Sequence, residues 1–233
     1  APGIRSVIET AKKAKEKNLA LMSGFCWRHD TPKIDTYKRI LDGAIGDVHT
    51  IYNTYNTGAL WFRDRQPSWS DTEFKMRNWL YYNWMSGDHI VEQAIHSIDL
   101  MSWAMGDQLP VSASGTGGRQ SRTEDKFGNV YDHFAIVFEY GDGRRGYHFS
   151  RQQKDTSRAY GIDMMGDQGR CSIDVFRKHQ IIGKDGEWEW DGEKKNMYQN
   201  EHDTLFASIR AGKPFNDGLL MANSTMLGIW GRM

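Results

Sequence analysis

The stretch Tyr131-Asp-His-Phe-Ala-Ile-Val-Phe-Glu-Tyr140, followed by Gly141-Asp-Gly143 and then by Tyr147-His-Phe-Ser-Arg-Gln152, decides the fold. Two β-branched and aromatic runs joined by a Gly-Asp-Gly turn predict an antiparallel hairpin. Alternation puts Phe134, Ile136 and Phe138 on one face and Ala135 and Val137 on the other, so both faces need cover. Outward from this hairpin, Val111 to Gly117 precedes it as a strand. Ala159 to Met165, Cys171 to Val175 and His179 to Ile182 follow as short strands parted by Gly166, Gly169 and Gly183. Helical spacing appears over residues 31–43, 88–105, 200–211 and 219–231, and Val48 to Thr57 reads as a further strand. Gly58 to Asn78 reads as a long loop and Gly118 to Asn129 as a polar, mobile one. The expected fold is α+β: an open, mainly antiparallel sheet with helices on one face. Ahead of it, a helix over Ile4 to Ala14 feeds the apolar run Leu19 to Met22, half of an α/β unit.

Composition narrows the function classes. The 233 residues carry 30 Lys+Arg and 30 Asp+Glu, a formal net charge of 0, which lacks the basic excess of a nucleic-acid binder. The longest apolar runs fall far below the roughly 18 residues of a membrane helix, and the mean hydropathy is −0.69. Two cysteines, Cys26 and Cys171, are too few for a disulfide framework and read as buried thiols of a reducing compartment, which points to the cytoplasm. The chain opens at Ala1 and closes at Met233 inside a helical pattern, so it reads as a piece of a longer polypeptide and leaves an exported form open. No G-x-G-x-x-G cradle is present; Gly115-Thr-Gly117-Gly118 lacks the spacing and the following helix.

Chemistry concentrates in Trp84-Met-Ser-Gly-Asp-His-Ile-Val-Glu-Gln-Ala-Ile-His-Ser-Ile-Asp-Leu100. On one continuous helix, Val91, Ile95, Ile98 and Met105 form a core stripe, and His89, Glu92, His96 and Asp99 form a second, ionisable one. Glu92 and His96 at i,i+4 are spaced to hydrogen-bond, which would orient the ring and raise its basicity. Three readings stand on spacing: a solvated helix face, an acid/base pair, or a metal site from His89, Glu92 and His96.

The segment resembles the Gfo/Idh/MocA family, named for glucose–fructose oxidoreductase, inositol dehydrogenase and rhizopine catabolism, with its Gly-rich stretch leading into D-x-x-x-H-x-x-D. Ser86-Gly-Asp-His89 stands in the Gly-rich stretch, Glu92 takes the first aspartate's place, and His96 and Asp99 match. The likeness extends along the chain. Ala1 to Leu19 resembles the helix after the family's E-K-P motif, whose lysine would fall upstream. Leu21 to His29 resembles the last nucleotide-domain strand, with its arginine at Arg28. Leu41 to Val48 resembles the entry to the second domain, and Asn216 to Met233 the closing helix. The resemblance implies residues 1–30 as the end of a Rossmann domain and 31–233 as a substrate-binding and oligomerisation domain. It implies an oxidoreductase that uses NAD or NADP on a sugar, cyclitol or related polyol. A cofactor-assisted glycosidase or lyase of the same family, or a non-catalytic sugar binder, is the alternative. His96 and Glu92 are the expected catalytic residues. Asp99, His89, Asp88, Trp84 and Arg63 are expected at substrate, Arg28 at the cofactor, and no metal. A homo-oligomer built through the outer sheet face is expected, with no nucleic acid and no membrane.

Overall fold

The computed structural model describes residues 1–233. Eight strands form one sheet: β1 (Val48–Thr57), β2 (Ser112–Gly118), β3 (His133–Glu139), β4 (Arg145–Gln152), β5 (Ala159–Gly166), β6 (Gly169–Asp174), β7 (Lys178–Gly183) and β8 (Gly186–Glu189). Their order is β2-β3-β4-β1-β5-β6-β7-β8. Two meanders, β2-β3-β4 and β5-β6-β7-β8, are antiparallel throughout and are stitched together by β1, parallel to β4 and antiparallel to β5. The α+β expectation holds.

Helices cover one face: α2 (Thr31–Leu41), α6 (Ile95–Ala104) and α8 (Gly218–Arg232), with α1 (Pro2–Glu16) packed on α8 and α7 (Met197–Arg210) beside residues 26–29. β3 alternates as read, Phe134, Ile136 and Phe138 lying buried under the helices with Ile51, Ile162, Ile173, Ile98 and Leu100. Gly146 lets α6 approach, because any side chain there would strike the Met101 sulfur. The opposite face stays open, with Tyr52 42% and Met165 55% exposed. No helix is long and apolar enough to cross a membrane.

Four local expectations need correction. The helix read over 88–105 is broken: α5 (His89–Glu92) ends at Gln93, whose φ of −137° leaves the helical region, before α6 begins. Leu19 to Met22 makes no strand; Leu21 forms one parallel bridge to Asn216, and Leu19 is exposed because no strand flanks it. The loop over 58–78 contains α3 (Asp71–Arg77), capped by Ser70 accepting from the Glu73 N–H. Residues 120–122, read as mobile, are held by backbone N–H bonds to the Asp132 carboxylate.

Candidate active site

The break in the site helix starts before it. After the short α4 (Asn83–Ser86), Gly87 and Asp88 both take positive φ, 74° and 75°. Gly87 fits there because a Cβ would lie 2.8 Å from Val91. Asp88 sustains its strained backbone through its carboxylate. It accepts from the N–H groups of His89 at 2.7 Å and Tyr131 at 2.9 Å, and from Arg232 Nε at 2.6 Å. Burial works to raise this carboxyl, yet hydrogen bonds from His89 and Tyr131 hold it below the usual range. His89 lies beneath, one nitrogen 3.2 Å from the Tyr131 carbonyl and the other 3.1 Å from Ser150 Oγ; burial pulls its ring below the ordinary histidine value against the pull of Asp88.

Glu92 closes α5. Gln152 Nε2 donates to its Oε1 at 2.9 Å, and burial raises the carboxyl to about 7 against the pull of Gln152 and Arg122. His96 sits one turn on, its ring tilted over Trp27 at 5.3 Å between centroids and edge-on to Phe25 at 6.2 Å. Its Nδ1 is enclosed without a partner, and burial lowers the imidazole to about 4. The hydrogen bond expected between Glu92 and His96 is not formed. The break at Gln93 turns the two off a common ridge, so aromatic rings rather than a carboxylate orient the imidazole. Nε2 is the nitrogen left to exchange a proton with a ligand.

The other expected site residues lie elsewhere. Asp88, His89 and Asp99 are 0–1% exposed and each is hydrogen-bonded within the chain. Asp99 takes a two-pronged bond from Arg28 at 2.8 and 3.0 Å and one from Ser224 at 2.7 Å, clamping α8. Arg28 pairs with both Asp99 and Asp107. Trp84 is 72% exposed, and the Arg63 guanidinium lies 5.4 Å over Trp61; neither contacts Glu92 or His96. His89, Glu92 and His96 do not gather as a metal-ligand set.

Sequence reading missed Trp27, Arg122 and Gln152. One signal was available: the inward row of β4 runs Gly146, His148, Ser150, Gln152, turning polar beneath the site where the matching row of β3 stays aromatic and aliphatic.

Buried imidazoles give a pH signature. His96 is lowered to about 4, and His148 and His179 to about 3, burial being the main cause in each. As pH falls below the ordinary histidine value of 6.5, the unfolded chain takes up protons that the fold refuses, so stability drops toward pH 4. Glu92, raised from 4.5 to about 7, works in the opposite direction over that interval, as do the raised carboxyls of Asp99 and Glu201, while His29 and His89 add to the side of the lowered imidazoles. The melting temperature is expected to fall steadily between pH 6.5 and 4; a flat profile would show these rings charging within the fold.

The fold agrees with what comparison finds. The family model described as the GFO/IDH/MocA C-terminal domain matches residues 35–172, and the chain belongs to this family. Among solved structures, it is similar to aldose-aldose oxidoreductase from Caulobacter crescentus in complex with glycerol, at 17% identity and TM-score 0.74, covering 98% of this chain and 66% of that one. An oxidoreductase from Agrobacterium radiobacter in complex with NAD+, L-tartaric acid and magnesium matches at 14% identity and TM-score 0.71, covering 97% and 65%. A 3-ketoreductase from Actinomadura kijaniata in complex with NADP and TDP-benzene matches at 13% identity and TM-score 0.69, again covering 97% and 65%. The chain thus spans just under two thirds of the length of these neighbours. No curated protein matches it significantly.

Proposed function

We propose that this chain is the substrate-binding and oligomerisation portion of an NAD(P)-dependent oxidoreductase acting on a sugar, cyclitol or related polyol. Residues 1–30 close its nucleotide-binding domain, and 31–233 form the second domain. The observation that carries the reading is His96: a neutral imidazole gripped by Trp27 and Phe25, with only Nε2 open, beside a carboxyl that titrates near neutrality. His96 Nε2 accepts the proton of the reacting hydroxyl, and Glu92 holds a neighbouring hydroxyl in place. A nicotinamide, when bound, supplies the hydride acceptor. The membership of the chain in the family and the cofactors seen in its structural neighbours support this reading.

The test is to mix the complete protein with NAD+ or NADP+ and a panel of sugars, cyclitols and polyols. Reduced nicotinamide should accumulate in step with loss of the alcohol. Product formed without net reduced nicotinamide would instead assign a cofactor-assisted glycosidase or lyase, and binding without turnover a sugar-binding role.

The open sheet face supports the homo-oligomer. Tyr52 packs on Phe149 at 5.0 Å between ring centroids, beside Tyr147 and Met165, around a shallow groove of about 470 Å³. A contiguous apolar patch of this kind usually marks an interface. Tyr52→Glu combined with Met165→Glu should reduce a multi-chain solution mass to that of a single chain. A single-chain mass for the unaltered protein would remove the assignment.

A further inference from the structure

Arg122 comes from the stretch read as mobile. The Asp132 carboxylate gathers the N–H groups of Gln120, Ser121 and Arg122 at 2.7, 2.6 and 2.9 Å, and this turn drives the Arg122 side chain inward to 4% exposure. Its guanidinium lies 5.1 Å over the Tyr81 ring, donates to the Tyr131 carbonyl at 3.1 Å and donates to Gln152 Oε1. No carboxylate reaches it at ion-pair distance, and Asp88, Asp132 and Glu92 act on it only from farther off. A buried cation without an ion pair is costly, so its effect on its neighbours matters.

Arginine carries only donors and keeps its charge. Gln152 must therefore turn Oε1 toward Arg122, which aims its Nε2 at Glu92 Oε1 (2.9 Å) and Gln93 Oε1 (2.7 Å). Both hydrogens of that amide are then used, and Glu92 Oε1 can only accept. Glu92 Oε2 has no hydrogen bond within the chain and is not enclosed. We infer that Arg122 and Gln152 are positioning residues, a relay that fixes the Glu92 carboxyl and confines its exchangeable proton to Oε2, the oxygen open to a ligand hydroxyl. The inference rests on the reading of Glu92 as a substrate-facing group. A hydroxyl approaching Oε2 meets an acceptor when Glu92 is ionised and a donor when it is protonated.

The charged and titratable groups around Glu92 are Arg122 from the loop, Asp88 at the start of α5, His96 one turn on, and the phenols of Tyr55 on β1 and Tyr81. Of these, only Arg122 is held against it through an amide.

The experiment is a ¹³C NMR titration of the Glu92 carboxyl in the complete protein, the signal being assigned by its loss in Glu92→Gln. Gln152→Leu and Arg122→Met each remove support for the ionised form, so the midpoint should rise by about one pH unit in both. Arg122→Lys keeps the charge and should return the midpoint toward the unaltered value. An unchanged midpoint in Gln152→Leu and Arg122→Met overturns the relay. Should either fail to fold, Gln152→Asn keeps the amide but draws it back by one methylene, and the same rise or its absence decides. The pH profile of kcat/KM is read in parallel. A midpoint that moves while the profile stays supports the relay but removes Glu92 from the reaction, so the two readings fail separately.

Discussion

His96→Ala in the complete protein should lower kcat by about 10²–10⁴-fold, the usual contribution of a positioned acid/base group. The substitution removes Nε2, the open nitrogen of a ring otherwise closed in by Trp27 and Phe25. The truncation also vacates the ring's packing against Trp27 and Phe25, so stability should fall as well, and turnover is compared on the folded fraction. KM should move far less than kcat, as for a group that acts on the transition state more than on the bound alcohol. His96→Gln, which keeps a polar side chain of similar reach but cannot carry the proton away, should be nearly as slow. Turnover within a few-fold of normal in both variants would take His96 out of the chemistry.

The second large effect lies behind the site. Lys33 is fully buried and pairs with Asp30, itself 1% exposed; its ammonium also donates to the Val175 carbonyl at 2.9 Å and lies 5.5 Å from the centre of the Trp27 ring. Burial pulls the Lys33 ammonium below its ordinary value, and the Asp30 carboxylate counters it. Asp30→Ala leaves that ammonium enclosed and unpaired, which should destabilise the protein by about 3–5 kcal/mol. For a chain of this length the melting temperature should drop on the order of 10 °C. Asp30→Ala combined with Lys33→Met removes both charges and should recover most of the loss, since a buried pair is worth little more than well-packed apolar side chains. A single variant that melts within a degree or two of the unaltered protein would contradict the pairing. Because the pair backs Trp27, and Trp27 backs His96, the single variant should also slow turnover where the double variant does not.

Much of the fold was legible because it rests on short-range pattern. The alternation in β3, the Gly141-Asp-Gly143 turn and the glycines between β5, β6 and β7 placed most of the sheet. The Ser70 cap three residues ahead of Glu73 is a helix signal carried by the sequence itself. β8 gave little signal, being four residues long. The site was less legible because its geometry depends on one backbone torsion. A helical wheel treats residues 88–105 as a single cylinder, whereas Gln93 interrupts it and sends His89, Glu92, His96 and Asp99 to different neighbours. The partners that replace the expected carboxylate–imidazole bond come from far along the chain: Trp27 from the 3₁₀ turn at Cys26–His29, Gln152 from β4, and Arg122 from a polar loop. Such pairings follow from tertiary packing, which spacing within one segment does not carry. The same packing gives Asp88 and Asp99, ionisable and close to the motif, their partners: each pairs with an arginine that ties a distant element to the site helix.

The most direct measurement is a crystal structure of the complete protein with reduced NAD(P) and the polyol or sugar that the panel identifies. The reacting hydroxyl should lie within about 3 Å of His96 Nε2, with a second hydroxyl on Glu92 Oε2. A ligand seated elsewhere, with both side chains beyond hydrogen-bond reach, would contradict the account.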